Sequence, residues 1–144
     1  KETIRILHQD MVKQHIQVIF DGSSEHVYVF GDLIQLQQVF MNLLLNAAFS
    51  LKRNEDRPKQ IQIKLKHSNS HITISIEDNG PGIEDAMRLK LFDAFVTTKD
   101  DGLGIGLAIC KSIVQNHGGK IVAGNRPEGG AVFSITLQSF THGI

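Results

Sequence analysis

Four short clusters of chemically capable residues follow one another between residues 42 and 106. In chain order they are Asn42-Leu-Leu-Leu-Asn46, Asp78-Asn-Gly80-Pro-Gly82, Phe92-Asp-Ala-Phe95 and Gly102-Leu-Gly104-Ile-Gly106. Amide oxygens suit a hard metal ion, a carboxylate accepts hydrogen bonds from a base, and glycine lets backbone approach phosphates. Each cluster alone is a weak signal, but the four together predict a nucleotide-binding pocket.

The first cluster belongs to a predicted helix that is apolar almost all round. Gln38, Asn42 and Asn46 are spaced by four and form one polar stripe along it. A lone buried amide is more often satisfied by neighbouring backbone, whereas three amides beside glycine loops favour a ligand site. An Asn carbonyl oxygen suits Mg²⁺, which takes its remaining ligands from water and substrate phosphates.

The second cluster follows an apolar strand. Asp78 is equally well explained as a turn-forming residue before Asn-Gly and as an acceptor for the exocyclic amine of adenine. Gly80 and Gly82 suit backbone that leaves ordinary φ/ψ space or that lies against a ligand ring.

The third and fourth clusters border a predicted mobile loop over residues 93–104, anchored by Phe92 and Phe95. Gly102, Gly104 and Gly106 open a helix, whose free N–H groups would form an anion site. The spacing is neither a dinucleotide fingerprint nor a P-loop, and a plain hinge is the alternative. Lys99, in Thr97-Thr98-Lys99, could reach a terminal phosphate, although a solvated loop lysine is nearly as common.

The elements that must position these clusters follow from hydrophobic periodicity and turn signals. Helices are predicted over 2–15, 32–53, 84–91 and 105–117, and strands over 16–20, 27–30, 61–65, 72–76, 120–124 and 131–138. Asp32 should cap the long helix, with Gln35 completing a capping box, and Gly118 should end the last helix. Strands with one apolar face and helices with apolar stripes predict a two-layer α/β sandwich, with helices on one side of the sheet.

Composition narrows the class of protein. The 144 residues are 41% apolar and 21% charged, with 15 basic and 15 acidic residues. They suit one domain, and they favour neither nucleic acid nor an anionic membrane as partner. Cys110 is expected to be a buried, inert thiol. The seven histidines lack zinc-ligand spacing, and His117 is expected as a cation near a helix end. No apolar run reaches the length of a membrane span, and the chain begins mid-pattern, like an excised piece.

These motifs resemble the catalytic, ATP-binding domain of two-component sensor histidine kinases, a branch of the superfamily that includes gyrase, a heat-shock chaperone and a mismatch-repair ATPase. Gln38 to Ala47 is similar to the N box, Asp78 to Gly82 to the first glycine box, Phe92 to Phe95 to the F box and Gly102 to Gly106 to the second glycine box. The stretch from Phe95 to Leu107 is similar to the oxygen-sensing and nitrogen-regulatory subgroup. The resemblance covers nearly the whole chain and implies a Bergerat-type ATP-binding fold, α+β in class, with one mixed, mainly antiparallel sheet.

The resemblance implies ATP and Mg²⁺ as cofactors, with Asn46 on the metal and Asp78 on the adenine amine. It makes Asn42, Asn46 and Lys99 the catalytic residues and residues 93–104 an ATP lid. Further nucleotide contacts are implied at Gly80, Gly82, Ile83, Phe95, Thr97, Thr98, Gly102, Leu103, Gly104, Ile105, Gly106 and Leu107. The γ-phosphoryl group would pass to a histidine and then to a response regulator, catalysed by positioning and charge neutralisation.

The chain departs from the family pattern at three places. Phe49 replaces a lysine that many members carry, and Ala131 replaces a threonine. No phosphoacceptor box is present, and neither His8 nor His15 lies in a similar sequence. We therefore expect the acceptor histidine on an upstream dimerisation domain, and we expect this domain to phosphorylate itself poorly. It should be a cytoplasmic monomer without membrane or nucleic-acid contacts, although the parent protein could be membrane-anchored.

Two other functions fit the same motifs. ATPase motors of the superfamily place a glutamate base where Asn42 stands, and an amide cannot activate water in that way, which favours the kinase. A nucleotide-sensing switch without catalysis is the third possibility, and the retained Asn46, Asp78 and glycines argue against it.

Overall fold

The computed structural model describes residues 16–22, 28–52, 58–68, 70–88, 90–92 and 103–140. The helix predicted over 2–15 lies outside these residues, as does the predicted lid from residue 93 to residue 102. In chain order the elements are β1 (Ile16–Asp21), α1 (Leu33–Leu51), β2 (Lys59–His67), β3 (His71–Asp78), α2 (Asp85–Arg88), α3 (Leu103–Asn116), β4 (Lys120–Asn125) and β5 (Ala131–Gln138).

The five strands form one sheet in the order β1-β2-β3-β5-β4. β1 runs parallel to β2, and the other neighbours are antiparallel. The apolar residues that alternate along β2, β3 and β5 point towards α1 and α3, where Ile61, Ile76 and Ile135 are buried. The opposite face is polar and carries hydroxyl pairs such as Ser75–Ser134, 3.0 Å apart. This arrangement confirms the predicted two-layer sandwich with helices on one face.

The strand predicted over 27–30 is wrong for the residues that the structure describes there. Tyr28 alone pairs with a neighbour, in an isolated antiparallel bridge to Phe140. The chain cannot continue along the sheet because Asp32 begins α1 four residues later. β1 pairs with β2 and not with residues 28–30.

The capping predictions for α1 and α3 are confirmed in most respects. Asp32 Oδ1 accepts from Gln35 N at 3.0 Å, and Gly118, two residues after the last residue of α3, has a φ of 73°. Gly119 N donates to Val114 O and Gly118 N to Gln115 O, both at 2.9 Å, which is the Schellman arrangement.

His117 makes a hydrogen bond with each ring nitrogen. Its Nδ1 lies 2.8 Å from Ile113 O, and its Nε2 accepts from Asp32 N at 3.0 Å. In a full capping box, the Gln35 side chain would accept the hydrogen bond from Asp32 N. Here the imidazole of His117 accepts it instead. His117 thus joins the end of α3 to the start of α1, and Gly31 leaves room for the ring.

α1 has 19 residues and α3 has 14. No helix among the described residues is both long and apolar enough to cross a membrane.

Candidate functional site

The polar stripe on α1 becomes more buried along the helix. Gln38 is exposed, Asn42 is half-buried, and Asn46 is only 8% exposed. Asn42 Nδ2 lies 3.6 Å from the point where a Cβ on Gly106 would stand, so α1 and the first turns of α3 meet here. An amide buried among leucines requires polar partners, which makes Asn46 the best-placed neutral oxygen ligand on this helix.

Asp78 ends β3 beside the last turn of α1. Its side chain is 2% exposed, and Oδ1 accepts from Gly80 N at 2.8 Å and from Ala131 N at 3.3 Å. Two N–H donors on one oxygen fix the orientation of the carboxylate, and hydrogen bonds to an ionised acceptor are the stronger kind. The bond to Gly80 is the predicted turn. The bond to Ala131 ties the same carboxylate to β5.

The turn after Asp78 is fastened on its outer side as well. Asn79 Oδ1 accepts from Gln60 N at 2.9 Å, and Asn79 Nδ2 donates to Pro58 O at 2.9 Å. Arg126 Nη1 donates to the backbone oxygen of Asp78 at 3.1 Å. The strand end, the turn and the β4–β5 connection therefore form one rigid unit.

Asn125 holds the next part of the loop. Its Oδ1 accepts from Ile83 N at 2.7 Å, and its Nδ2 donates to Ile83 O at 2.9 Å. Gly82, just before, has a φ of 85°, which a residue with a Cβ rarely adopts. The prediction that this turn requires unusual backbone is therefore confirmed at Gly82.

The last glycine of the β4–β5 connection has no space for a side chain. Gly130 has a φ of 103°, and a Cβ there would collide with the carbonyl of Asp78. The close approach of the two backbones is what lets Ala131 N reach the Asp78 carboxylate.

The first turn of α3 begins at Leu103, so Leu103 and Gly104 belong to the helix rather than to the predicted lid. The start of the predicted helix at Ile105 was two residues late. The N–H groups of a first helical turn have no partners within the helix and can meet an anion. Leu107 is buried in the core, so a nucleotide could meet only its backbone.

Five residues predicted to contact the nucleotide lie outside the described part of the chain. They are Phe95, Thr97, Thr98, Lys99 and Gly102. Phe92, at the start of the same segment, is half-buried. It packs edge-on against Phe133, with the ring centroids 6.3 Å apart, as expected of an anchor.

Cys110 lies under the stripe, between α3 and α1. It is fully buried, and burial raises the pKa of its thiol to about 11, although a hydrogen bond with the Asn42 side chain opposes the shift. The prediction of a buried thiol is thus confirmed, and its inertness stays a prediction. Asn42 is held by a neutral partner, and its amide cannot act as a general base for water.

A separate cavity lies at the other end of the helix layer. It has a volume of about 340 Å³, and Gln37 is the only polar residue among the described residues that line it. Because apolar side chains cannot fix the orientation of a triphosphate, the stripe and the glycine turns form the candidate site instead.

Sequence reasoning missed Asn125, Arg126 and Asn79 as organisers of the site. Asn125 and Arg126 lie between the strands predicted over 120–124 and 131–138, and their partners are more than forty residues away in sequence. Only the Asn-Gly pair after Asp78 offered a local signal.

The family of histidine kinase-, DNA gyrase B-, and HSP90-like ATPases matches residues 31–140. The matched range includes the polar stripe on α1, the turn at Gly80 and Gly82, the glycines at the start of α3, and β5. The chain belongs to this ATPase family.

Two curated relatives of this chain are named as sensor proteins. The C4-dicarboxylate transport sensor protein DctS of Rhodobacter capsulatus is 39% identical over 109 residues, which are 76% of this chain and 17% of DctS. The sensor protein FixL of Bradyrhizobium diazoefficiens is 34% identical over 127 residues, 88% of this chain and 25% of FixL. The chain thus spans a quarter or less of these two proteins.

Solved structures of the family share the fold. The nucleotide-free catalytic domain of histidine kinase ThkA superposes with a TM-score of 0.85 at 31% identity, covering 95% of this chain and 88% of that one. ThkA has also been solved in complex with the response regulator protein TrrA, at 28% identity and a TM-score of 0.80, covering 97% of this chain and 39% of that one.

Proposed function

We propose that this domain binds ATP with Mg²⁺ and presents the γ-phosphoryl group to a histidine on a dimerisation domain of its parent protein. The phosphoryl group would then pass to a response regulator. The observation that carries the proposal is the polar stripe on α1. At one end of the stripe, Asn42 lies beside Gly106. From there the stripe continues through Asn46 towards Asp78 at the other end.

The adenine would lie at the Asp78 end. A carboxylate only accepts hydrogen bonds, and adenine offers an exocyclic amine where guanine offers a carbonyl oxygen. Because backbone N–H groups already orient the carboxylate, it would accept from the amine with little rearrangement. Asn125 holds Ile83, and the backbone of Gly80 and Gly82 would lie along the base.

The phosphates would lie at the other end, over the start of α3. The N–H groups of Leu103, Gly104, Ile105 and Gly106 would meet phosphate oxygens, helped by the helix dipole. Asn46 would hold Mg²⁺ through its carbonyl oxygen, with Asn42 beside it. When Mg²⁺ is bound, it would neutralise the negative charge of the phosphates. Lys99, Thr97, Thr98, Phe95 and Gly102 are still predictions as nucleotide contacts.

The partners are proposed from the relatives. The DctS and FixL matches are to sensor proteins, and the ThkA–TrrA complex pairs a similar kinase with a response regulator. This sequence carries no acceptor box, so the histidine would belong to another domain. Since ATP is available in the cytoplasm, we place the domain there, and we expect it to be monomeric by itself.

Hydrolysis by an ATPase motor is the weaker alternative. Asn42 occupies the position of the hydrolytic base, and its side chain hydrogen-bonds with the Cys110 thiol. No proton acceptor is therefore available at residue 42 to activate water.

A phosphotransfer assay with radiolabelled ATP tests the proposal. The chain would be mixed with the dimerisation domain of a relative such as DctS, with its acceptor histidine intact or replaced by glutamine. Label should appear only on the intact acceptor, should not appear on this chain alone, and should be lost with Asn46→Ala. Release of inorganic phosphate at the same rate with and without an acceptor would instead establish an ATPase.

A further inference from the structure

The polar stripe on α1 continues one turn beyond the three amides. Ser50 follows Asn46 by four residues, as Asn46 follows Asn42, and it is half-buried on the last turn of the helix. From Asn42 to Ser50 the helix rises by about 12 Å. The stripe therefore ends in a hydroxyl group rather than an amide, at the end where the base is proposed to bind.

Ser50 and Asp78 border the same small opening at Gly80. A Cβ on Gly80 would stand 2.7 Å from Ser50 Oγ and 3.0 Å from Asp78 Oδ1. A side chain there would force the hydroxyl or the carboxylate to move. The glycine thus keeps a donor-capable group and an acceptor-only group side by side.

The hydrogen-bonding edge of adenine requires one acceptor and one donor from the protein. Its exocyclic amine donates a hydrogen bond, and the adjacent ring nitrogen N1 accepts one. Asp78 satisfies the amine, but an ionised carboxylate has no proton to give to N1. A serine hydroxyl donates, and unlike a second carboxylate it does not repel its neighbour.

Among the described residues, the β5 side of this turn offers no side-chain hydroxyl at the same point. Ala131 has no hydroxyl group, and its backbone N–H is already directed at Asp78 Oδ1. Asn79 turns its side chain towards Gln60 and Pro58. Of the described side chains around this turn, Ser50 is the one that places a hydroxyl beside the carboxylate.

We propose that Ser50 is a specificity-determining residue whose hydroxyl donates to N1 of adenine, directly or through one water molecule. The inference rests on the proposed function, since it assumes that ATP binds with its base at Asp78. It adds a second contact that distinguishes the adenine edge, supplied by α1 rather than by β5.

Titration calorimetry with two nucleotides tests the contact. The first is ATP, and the second is its 1-deaza analogue, in which a C–H group replaces N1. Ser50→Ala should weaken ATP binding about two- to twelvefold, the range of one neutral hydrogen bond, and should leave the affinity for the analogue unchanged. Ser112→Ala, an exposed serine-to-alanine change on α3, is the matched control and should alter neither affinity.

Three results would overturn the inference. Equal losses for both nucleotides would mean that Ser50 supports the loop and does not contact N1. An unchanged ATP affinity in Ser50→Ala would mean that no contact exists. If the unsubstituted protein binds neither nucleotide, the proposed function fails and this inference fails with it. Binding of ATP without any Ser50 effect would remove this inference alone. Thermal unfolding of each variant shows whether a loss comes from misfolding.

Discussion

Replacing Asp78 by asparagine should abolish most ATP binding and leave the fold nearly intact. Asparagine has the same shape, and its carbonyl oxygen can still accept from Gly80 N and Ala131 N. Its amide group, however, then presents a donor to the donor amine of adenine. Losing one charge-assisted hydrogen bond costs about 1.5–3 kcal/mol, so the dissociation constant for ATP should rise roughly 10- to 100-fold.

Asp78→Ala is the control that separates binding from folding. Alanine removes the acceptor for both backbone N–H groups, and each unsatisfied buried donor costs about 1–3 kcal/mol. The alanine variant should therefore melt well below the asparagine variant, as measured by thermal denaturation, whereas both should bind ATP poorly by calorimetry. The reasoning is refuted if Asp78→Asn binds ATP like the unsubstituted protein, or if the two variants are equally unstable.

Two further predictions concern the packing around the site. Gly130→Ala should lose about 1–3 kcal/mol more stability than Gly129→Ala, because both have positive φ but only the Cβ at 130 meets the Asp78 carbonyl; equal melting temperatures would contradict this. Cys110, with its pKa raised to about 11, should not react with a disulfide reagent near pH 8.5 unless the protein is denatured. Since the folded state holds this proton more tightly than the unfolded chain, stability should fall as the pH rises from 9 towards 11, and Cys110→Ala should remove that dependence.

Local signals predicted most of the scaffold. Apolar residues at every second position, such as Ile61 and Ile63 or Ile74 and Ile76, identified two strands. In a half-buried strand, every second side chain points to the buried face. Asp32 and Gly118 marked helix ends, since capping depends on a few adjacent residues. The prediction of the site residues on α1 and β3 relied on the same short-range patterns.

These local signals could not predict which residues distant in sequence contact one another. Residues 28–30 alternate like a strand, but the start of α1 limits their pairing to a single bridge. The hydrogen bond that His117 accepts comes from Asp32, which is 85 residues away. Asn125 and Arg126 resemble ordinary turn residues until the fold brings Ile83 and Asp78 to them. A one-dimensional pattern contains no information about which turn will lie beside which strand end.

The two explanations of Asp78 that the sequence left open are compatible. The bond to Gly80 makes it a turn-forming residue, whereas the bond to Ala131 and the Arg126 contact with its backbone give the carboxylate one fixed direction. A carboxylate that must rotate to meet a ligand loses part of the binding free energy to ordering. One that the fold already holds does not, so the turn is what would let Asp78 discriminate between bases in the proposed site. The Ser50 hydroxyl gains from the same arrangement, because Gly80 keeps it beside a carboxylate that cannot swing away.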